Sequence, residues 1–351
     1  MKPFVFALIL IIAGFSGCSN KTNSHRKPVT NIQITPANKI VSYGNDISLS
    51  ITANLFKDKL EKIELYINGE KIKTSNEKQF TLNLKTTDFH LGNHTITCKT
   101  FNKSGIHGIN YAYFIIVSDI EPQNKKFEIV EILPHNTKSF TQGLEFYNDF
   151  LYESTGNNGF SKIFIYNPEN QKIINSIDLE NQYFGEGITI LNDKLYQLTY
   201  KSKKGFIYDA KSLKKIKEFS FESPEGWGLT NDGKNIIMSD GSSKIHFLDT
   251  LNLQRTKSIE VCNNKGIISN LNELEYINGF IYANIWMTNT IIKIDPLTGK
   301  VLSIYNLSSL LNHIETANID VLNGIAYNQK NNLFYLTGKY WPKMFKIKFE
   351  D

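Results

Sequence analysis

Cysteine is scarce in this chain, with three residues in 351, and this scarcity excludes a disulfide-rich scaffold. Cys18 lies near the N-terminus, while Cys98 and Cys262 fall in different predicted domains, so we expect no structural disulfide. Neither Cys98 nor Cys262 has another Cys or a His nearby at the spacing of a metal site. We therefore interpret both as small buried hydrophobic residues and predict that no metal takes part in catalysis.

An excess of charge of one sign is also missing. The formal net charge is +5, which is small for this length, and the lysines are scattered along the chain. A protein that binds nucleic acid normally concentrates its basic residues in a patch or stripe. The composition therefore argues against a nucleic-acid partner.

The N-terminus resembles the leader of an exported bacterial lipoprotein. Lys2 precedes an apolar run that ends in Phe15-Ser16-Gly17-Cys18, with Phe15 where Leu is commoner. We expect a signal peptide over 1–17, a lipidated Cys18 and a polar tether over 18–30. The chain would then be held at the bacterial envelope, on the periplasmic side of the membrane or at the cell surface. An ordinary signal peptide is the alternative.

Residues 31–120 have the pattern of an immunoglobulin-like β-sandwich. Apolar and polar residues alternate over Ile47 to Ile51 and over Lys62 to Ile67, as in half-buried strands. Asn68-Gly69 then supplies a hairpin turn. About seven short strands in this span are typical of such a sandwich. A polar stretch at 121–126 is the predicted linker.

Residues 127–351 repeat themselves five times at a spacing of roughly 45 residues. Each repeat begins with a small or acidic residue followed by an apolar one, and second and third strand-like segments follow. The five starting pairs are Gly143-Leu144, Gly187-Ile188, Gly228-Leu229, Glu273-Leu274 and Gly324-Ile325. Four short strands per repeat indicate a five-bladed β-propeller. The last repeat stops after its third strand, and Phe127 to Leu133 is predicted to supply the fourth.

The predicted propeller places one residue from each repeat around one mouth of the central channel. This inner ring comprises the residues just before the aligned starts, Gln142, Glu186, Trp227, Asn272 and Asn323. The ends of the second strands form an outer ring of Gly156, Tyr200, Gly241, Trp286 and Gly338, with Lys339 next to it. Glu186 is the only acid in the inner ring. One carboxylate among amides and aromatic residues fits general acid–base chemistry on a neutral substrate, although polar residues can also simply satisfy strand ends.

Eight short motifs resemble the plant and bacterial type of glutaminyl-peptide cyclotransferase. They include Phe140-Thr141-Gln142-Gly143-Leu144, Phe184-Gly185-Glu186-Gly187, Gly226-Trp227-Gly228-Leu229, Leu271-Asn272-Glu273-Leu274 and Thr337-Gly338-Lys339-Tyr340-Trp341-Pro342. The resemblance covers all five repeats but not the N-terminal sandwich. It implies a five-bladed propeller that converts the N-terminal glutamine of peptides or proteins into pyroglutamate and releases ammonia.

The resemblance also implies roles for individual residues. Glu186 matches the general acid and base, and Gln142, Asn272 and Lys339 match its polar partners. The residues that match the aromatic substrate-binding walls are Phe140, Phe184, Trp227 and Trp286. Tyr200 stands where the family usually has Trp, which puts the substrate fit in doubt.

We expect a monomer that needs no cofactor for catalysis, while analogy with the family allows a structural calcium ion near the axis. Two other functions stay open. One is a surface-anchored propeller that binds peptides without catalysis. The other is a lactonase-like hydrolase, which would need several ligands around an axial divalent ion where this ring has one acid.

Overall fold

The computed structural model describes residues 26–316 and 318–350 and is built almost entirely of β-strands. The described part contains 29 strands and two short 3-10 helices, at Thr86–Asp88 and Ser308–His313. The all-β prediction is therefore confirmed. Cys18, the expected signal peptide and most of the expected tether lie outside the described residues.

The N-terminal domain consists of two facing sheets. Its strands are β1 (Val29–Thr35), β2 (Ile40–Ser42), β3 (Asp46–Asn54), β4 (Leu60–Ile67), β5 (Glu70–Ser75), β6 (Gln79–Lys85), β7 (Gly92–Asn102) and β8 (His107–Val117). One sheet has the order β1-β3-β6 and the other the order β2-β8-β7-β4-β5. In β3 every second side chain, from Ile47 to Ala53, is buried between the sheets, as the alternation of the sequence predicts.

The predicted hairpin turn at Asn68-Gly69 is present between β4 and β5. Its two residues have φ values of 50° and 87°. Positive φ at both central positions is the geometry of a type I′ turn, which matches the twist of the flanking strands. The first strand begins at Val29, which is two residues inside the segment expected to be the tether.

The C-terminal region forms five sheets, each built around four antiparallel strands. Its strands are β9 (Gln123–Lys125), β10 (Phe127–Pro134), β11 (Thr141–Tyr147), β12 (Phe150–Thr155), β13 (Lys162–Asn167), β14 (Lys172–Asp178), β15 (Gly185–Leu191), β16 (Lys194–Thr199), β17 (Lys204–Asp209), β18 (Lys215–Ser220), β19 (Leu229–Asn231), β20 (Asn235–Ser239), β21 (Lys244–Asp249), β22 (Arg255–Glu260), β23 (Leu271–Ile277), β24 (Phe280–Ile285), β25 (Thr290–Ile294), β26 (Val301–Asn306), β27 (Leu322–Asn328), β28 (Leu333–Gly338) and β29 (Lys343–Phe349). Consecutive strands pair within each sheet. The strands of each sequence repeat thus form one sheet.

The last sheet takes its outer strand from the start of the region. β10 pairs antiparallel with β29, so that Phe127 lies opposite Phe349 and Pro134 opposite Lys343. The pairing predicted for Phe127 to Leu133 is therefore found. The first strands of the sheets contact one another side by side: β11 with β15, β15 with β19, β19 with β23, β23 with β27, and β27 with β11.

The two regions are joined through the fourth sheet. The segment expected to be a linker contains β9, which pairs in parallel with β26. Buried Cys262 packs in the same hydrophobic cluster as Cys98 of the N-terminal sandwich. Both cysteines are free, and burial raises the pKa of each thiol to about 12. The prediction that both cysteines are buried is confirmed.

Among the described residues, no helix has both the length and the hydropathy that a membrane crossing requires.

Candidate active site

One cavity of about 260 Å³ brings all nine predicted active-site residues together. Four of them are polar, Gln142, Glu186, Asn272 and Lys339, and five are aromatic, Phe140, Phe184, Tyr200, Trp227 and Trp286. Met287 and Asp320 complete the lining. The cavity lies where the first strands of the five sheets begin. Sequence positions almost 200 residues apart therefore meet in one pocket, as the repeat alignment predicted.

β-Bulges direct most of the inner-ring side chains into the cavity. The register between first and second strands shifts by one extra residue on the first strand at Gln142, Glu186, Asn272 and Asn323. A bulge leaves a residue outside the regular ladder and turns its side chain, and bulges are common beside active sites. The same β-bulge thus recurs in four of the five sheets, with Gln, Glu or Asn at the ring position. Trp227 differs because it precedes β19.

The glycines that follow three of the ring residues, Gln142, Glu186 and Trp227, let neighbouring first strands approach closely. A Cβ at Gly143 would lie 2.6 Å from the backbone nitrogen of Ile188, and one at Gly228 would lie 2.1 Å from the carbonyl oxygen of Asn272. Real Cβ atoms do not tolerate such contacts with backbone atoms. Glycine is therefore required by packing at these positions, and this explains its recurrence in the sequence.

Glu186 is 3% exposed and is held from both its backbone and its side chain. The Ser154 hydroxyl donates to its carbonyl oxygen at 2.6 Å. Gln142 Nε2 donates to its Oε1 at 3.0 Å. These two bonds fix the carboxyl group at the wall of the cavity. In the same way, the Ser239 hydroxyl donates to the carbonyl oxygen of Asn272 at 2.6 Å.

The electrostatic environment of Glu186 favours its protonated form. Burial raises the pKa of its carboxyl group well above the usual value, the charge of Lys339 opposes this, and the charge of Glu225 adds to it. Burial in turn lowers the pKa of the Lys339 ammonium, against the attraction of Glu186 and Asp320. One cavity therefore holds a carboxyl group with a raised pKa and an ammonium group with a lowered pKa.

Aromatic rings form the walls of the cavity. Phe140 meets Phe184 edge to face at 6.0 Å between ring centroids, and Phe184 lies 5.7 Å from Tyr200. On the other side, Trp227 and Trp286 cross edge to face at 5.5 Å. Trp286 is 38% exposed and marks the mouth. The walls leave room for a flexible apolar chain between them.

Glycines of the outer ring provide the space that these aromatic rings occupy. A Cβ at Gly156 would lie 2.3 Å from the Phe184 ring, and one at Gly241 would lie 2.6 Å from the Trp227 ring. Each of these two glycines therefore leaves space that a large aromatic ring fills. The sequence indicated the positions but not this pairing.

Three residues of functional interest escaped the sequence reasoning. Asp320 and Met287 line the cavity, but Asp320 lies in the insert before the last repeat and Met287 follows the end of β24. Neither has an equivalent in the other repeats, so the alignment gave no signal for them. Glu225 accepts a hydrogen bond from Trp227 Nε1 at 3.0 Å. Its position two residues before a ring residue was the available clue.

Glu273 occupies the repeat position that carries glycine elsewhere, and it has a structural role. Its carboxylate accepts the backbone N–H of Leu144 at 3.1 Å and that of Ile325 at 2.8 Å. It thus links β23 to both β11 and β27. Glu153 accepts from His135 and Thr141. The interpretation of both as structural acids agrees with these contacts.

A larger cavity of about 710 Å³ opens at the opposite ends of the first strands and includes Glu145 and Glu275. None of the nine predicted residues lines it. Among the described residues, no group of three or more His, Cys, Asp or Glu side chains is arranged to hold a metal ion. No residue is assigned to the structural calcium ion that the family analogy suggested, which stays a prediction.

Comparisons with known proteins agree with this geometry. A family model described as glutamine cyclotransferase matches residues 110–349, and one described as a bacterial Ig domain matches residues 28–98. The chain is 37% identical over 237 residues to a glutaminyl-peptide cyclotransferase of Arabidopsis thaliana, which covers 66% of this chain and 74% of that protein. The crystal structure of Myxococcus xanthus glutaminyl cyclase matches with a TM-score of 0.61 and 30% identity over 66% of this chain and 99% of that one. The chain therefore belongs to the glutamine cyclotransferase family and carries a bacterial Ig domain in front of it.

Proposed function

We propose that this protein is a glutaminyl-peptide cyclotransferase that converts N-terminal glutamine into pyroglutamate. The observation that carries the proposal is the buried Glu186 carboxyl group, hydrogen-bonded by Gln142 in a small aromatic cavity beside Lys339. The cavity suits one side chain rather than a long peptide. The rest of the substrate peptide would extend out of the cavity past the exposed rim at Trp286 and Met287.

The proposed reaction needs one group that both accepts and donates a proton. The α-amine nitrogen of the substrate attacks Cδ of its own carboxamide and forms the ring bond. Glu186 takes a proton from that nitrogen and passes it to the carboxamide nitrogen. The Cδ–N bond then breaks, and ammonia and the lactam leave without consumption of water. Such proton transfer is typically worth about 10² to 10⁴ in rate.

The polar partners have distinct proposed tasks. The Lys339 ammonium faces the developing negative charge on the carboxamide oxygen. Asn272 Oδ1 is buried and has no hydrogen-bond partner in the described part of the chain, so it is available to accept a substrate N–H. The aromatic walls fold the glutamine side chain towards its own amine and exclude water.

We also propose that the five C-terminal sheets are the blades of a closed five-bladed propeller. The cyclic contacts between β11, β15, β19, β23 and β27 support this, as does the pairing of β10 with β29. The proposed domains are an Ig-like sandwich at 31–120, a junction at 121–126 and the propeller at 127–351. The propeller would act as a monomer, which light scattering of the purified chain tests.

The test of the proposed activity is ammonia release from a dipeptide that begins with glutamine. The wild-type chain should release ammonia, and Glu186→Gln should stay folded and lose at least about 10²-fold in kcat/KM. Glu145→Gln is the matched control, because it replaces another buried carboxyl group, which lines the larger cavity at the opposite ends of the first strands. Equal activity in wild type and Glu186→Gln would remove Glu186 from the mechanism.

The same assay separates the alternative functions. A peptide-binding propeller without catalysis would bind the dipeptide and release no ammonia. A lactonase-like enzyme would hydrolyse lactones and lose that activity to a chelator. Full ammonia release in excess chelator is the result expected for the cyclotransferase.

We propose further that the protein is exported and anchored to the bacterial envelope by lipid at Cys18, with the Ig-like domain as a spacer or interaction module. The motif Phe15-Ser16-Gly17-Cys18 supports this. Wild-type chain from cells should partition into detergent, whereas Cys18→Ala should stay in the aqueous phase. Aqueous partitioning of both would reject the anchor.

A further inference from the structure

Asn323, the fifth member of the inner ring, lies behind the cavity and makes two directed hydrogen bonds. Its side chain is fully buried. Asn323 Nδ2 donates to the Thr141 carbonyl oxygen at 3.0 Å and to Gln142 Oε1 at 3.2 Å. Its own Oδ1 has no partner in the described part of the chain. The sequence placed Asn323 in the ring but gave it no role.

These contacts fix the orientation of two amide groups in turn. If the Asn323 amide were reversed, its Oδ1 would face two acceptor oxygens, so its NH₂ group must point towards them. Gln142 Oε1 is thereby held by Asn323. The NH₂ group of Gln142 must then point to the other side, where it donates to Glu186 Oε1 at 3.0 Å.

The orientation of Gln142 restricts where Glu186 can carry a proton. A protonated Oε1 would be a weaker acceptor for the Gln142 N–H than the unprotonated, carbonyl-like oxygen. Glu186 Oε2 has no hydrogen bond within the described chain, and Glu186 lines the cavity. The proton that moves during the reaction is therefore favoured on Oε2.

We propose that Asn323 is a positioning residue for the cyclisation: it orients the Gln142 amide and so assigns the exchangeable proton of Glu186 to Oε2. The proposal rests on the function proposed above and deepens it. Asn323 does not touch the substrate. It prevents the Gln142 amide from turning round to accept a hydrogen bond from a protonated Glu186. The Gln142 N–H therefore stays available to stabilise the Glu186 carboxylate.

A pH profile can test this role because Asn323 carries no charge. The charged groups that act on Glu186 are Lys339 and Glu225, and Asp320 acts on Lys339. Replacement of Asn323 by the similarly sized Leu changes none of these charges. Asn284→Leu is the matched control. Asn284 lies in β24, is equally buried, and accepts the N–H of Gly324, the residue after Asn323, at 3.2 Å.

The experiment measures kcat/KM against pH for ammonia release from one glutamine dipeptide. Asn323→Leu and Gln142→Met should each move the acid limb upward by about one pH unit, which corresponds to the loss of one hydrogen bond to a charged group. The double variant should move no further than Gln142→Met alone. Asn284→Leu should leave the acid limb unchanged, and melting curves of all variants establish that they fold.

The outcomes are decisive in each case. An unshifted acid limb in folded Asn323→Leu, an equal shift in Asn284→Leu, or additive shifts in the double variant would each overturn the role of Asn323. If Asn323→Leu fails to fold, an unshifted acid limb in Gln142→Met overturns it instead. An inactive wild-type chain rejects the proposed function itself, before any variant is compared.

Discussion

Gly241→Ala should damage catalysis through the wall of the cavity rather than through its chemistry. Gly241 has φ of 78°, and a Cβ there would lie 2.6 Å from Trp227 Cζ2. Ordinary van der Waals contact begins at 3.4 Å, so the indole must move by roughly 1 Å. A displacement of that size near reacting atoms can cost about 10²-fold in rate. We therefore expect kcat/KM for a glutamine dipeptide to fall by about 10²-fold.

Gly233→Ala separates this effect from backbone strain. Gly233 has φ of 82°, and a Cβ there would meet no atom within 4 Å. Gly233→Ala should lose about 1 kcal/mol in unfolding free energy, because alanine is strained in the left-handed region, and Gly241→Ala should lose more because of its added clash with Trp227. Gly233→Ala should nevertheless keep nearly full activity. Near-normal kcat/KM in Gly241→Ala, or an equal loss in both variants, would refute the steric explanation.

Three further predictions concern charge and fit. Lys339→Met removes the ammonium that opposes the raised pKa of Glu186, so the acid limb of kcat/KM should move to higher pH and activity should fall about 10²-fold; an unmoved limb would contradict this coupling. Burial raises the pKa of Glu145 to about 8, so the folded state keeps a proton that the unfolded state loses above its pKa near 4.5. Wild-type stability should therefore fall as pH rises from about 5 to 8, and the melting temperature of Glu145→Gln should fall less over the same range. The difference should be roughly 2–4 °C for each kcal/mol of unfolding free energy that Glu145 contributes. Equal falls in melting temperature for the two proteins would disprove it. Tyr200→Trp restores the usual family residue and should change kcat/KM by less than about tenfold, the worth of one aromatic contact; a larger change, measured with dipeptides of different second residues, would make Tyr200 a determinant of specificity.

The repeat pattern predicted the strands and the ring because one backbone geometry recurs in each sheet. Glu186 and Gln142 could be located from the sequence, since each stands before a glycine that close strand packing requires. The hydrogen bond between them could not, because it joins side chains from two sheets. Periodicity reports which way a residue points within its own strand and carries no information about an orientation set by another strand.

Residues outside the repeats were the ones missed. Asp320 reaches the cavity from an insert, where no neighbouring repeat supplies a register. Cys262 was correctly predicted to be buried, but its contact with the core of the N-terminal sandwich depends on how two domains meet. Such contacts follow from three-dimensional shape complementarity, which a one-dimensional pattern does not encode.

Because β10 pairs with β29, it is synthesised long before its partner strand. β10 leaves the ribosome about 200 residues before its partner, which at typical rates of synthesis is a delay of roughly 10 to 40 s. During that time β10 is an unpaired strand with apolar residues at Val130 and Ile132. Glu128 and Glu131 interrupt this apolar stretch and disfavour pairing with other chains. The seven residues of β29 therefore complete the fold, and a chain that ends before Lys343 should accumulate as an aggregation-prone intermediate.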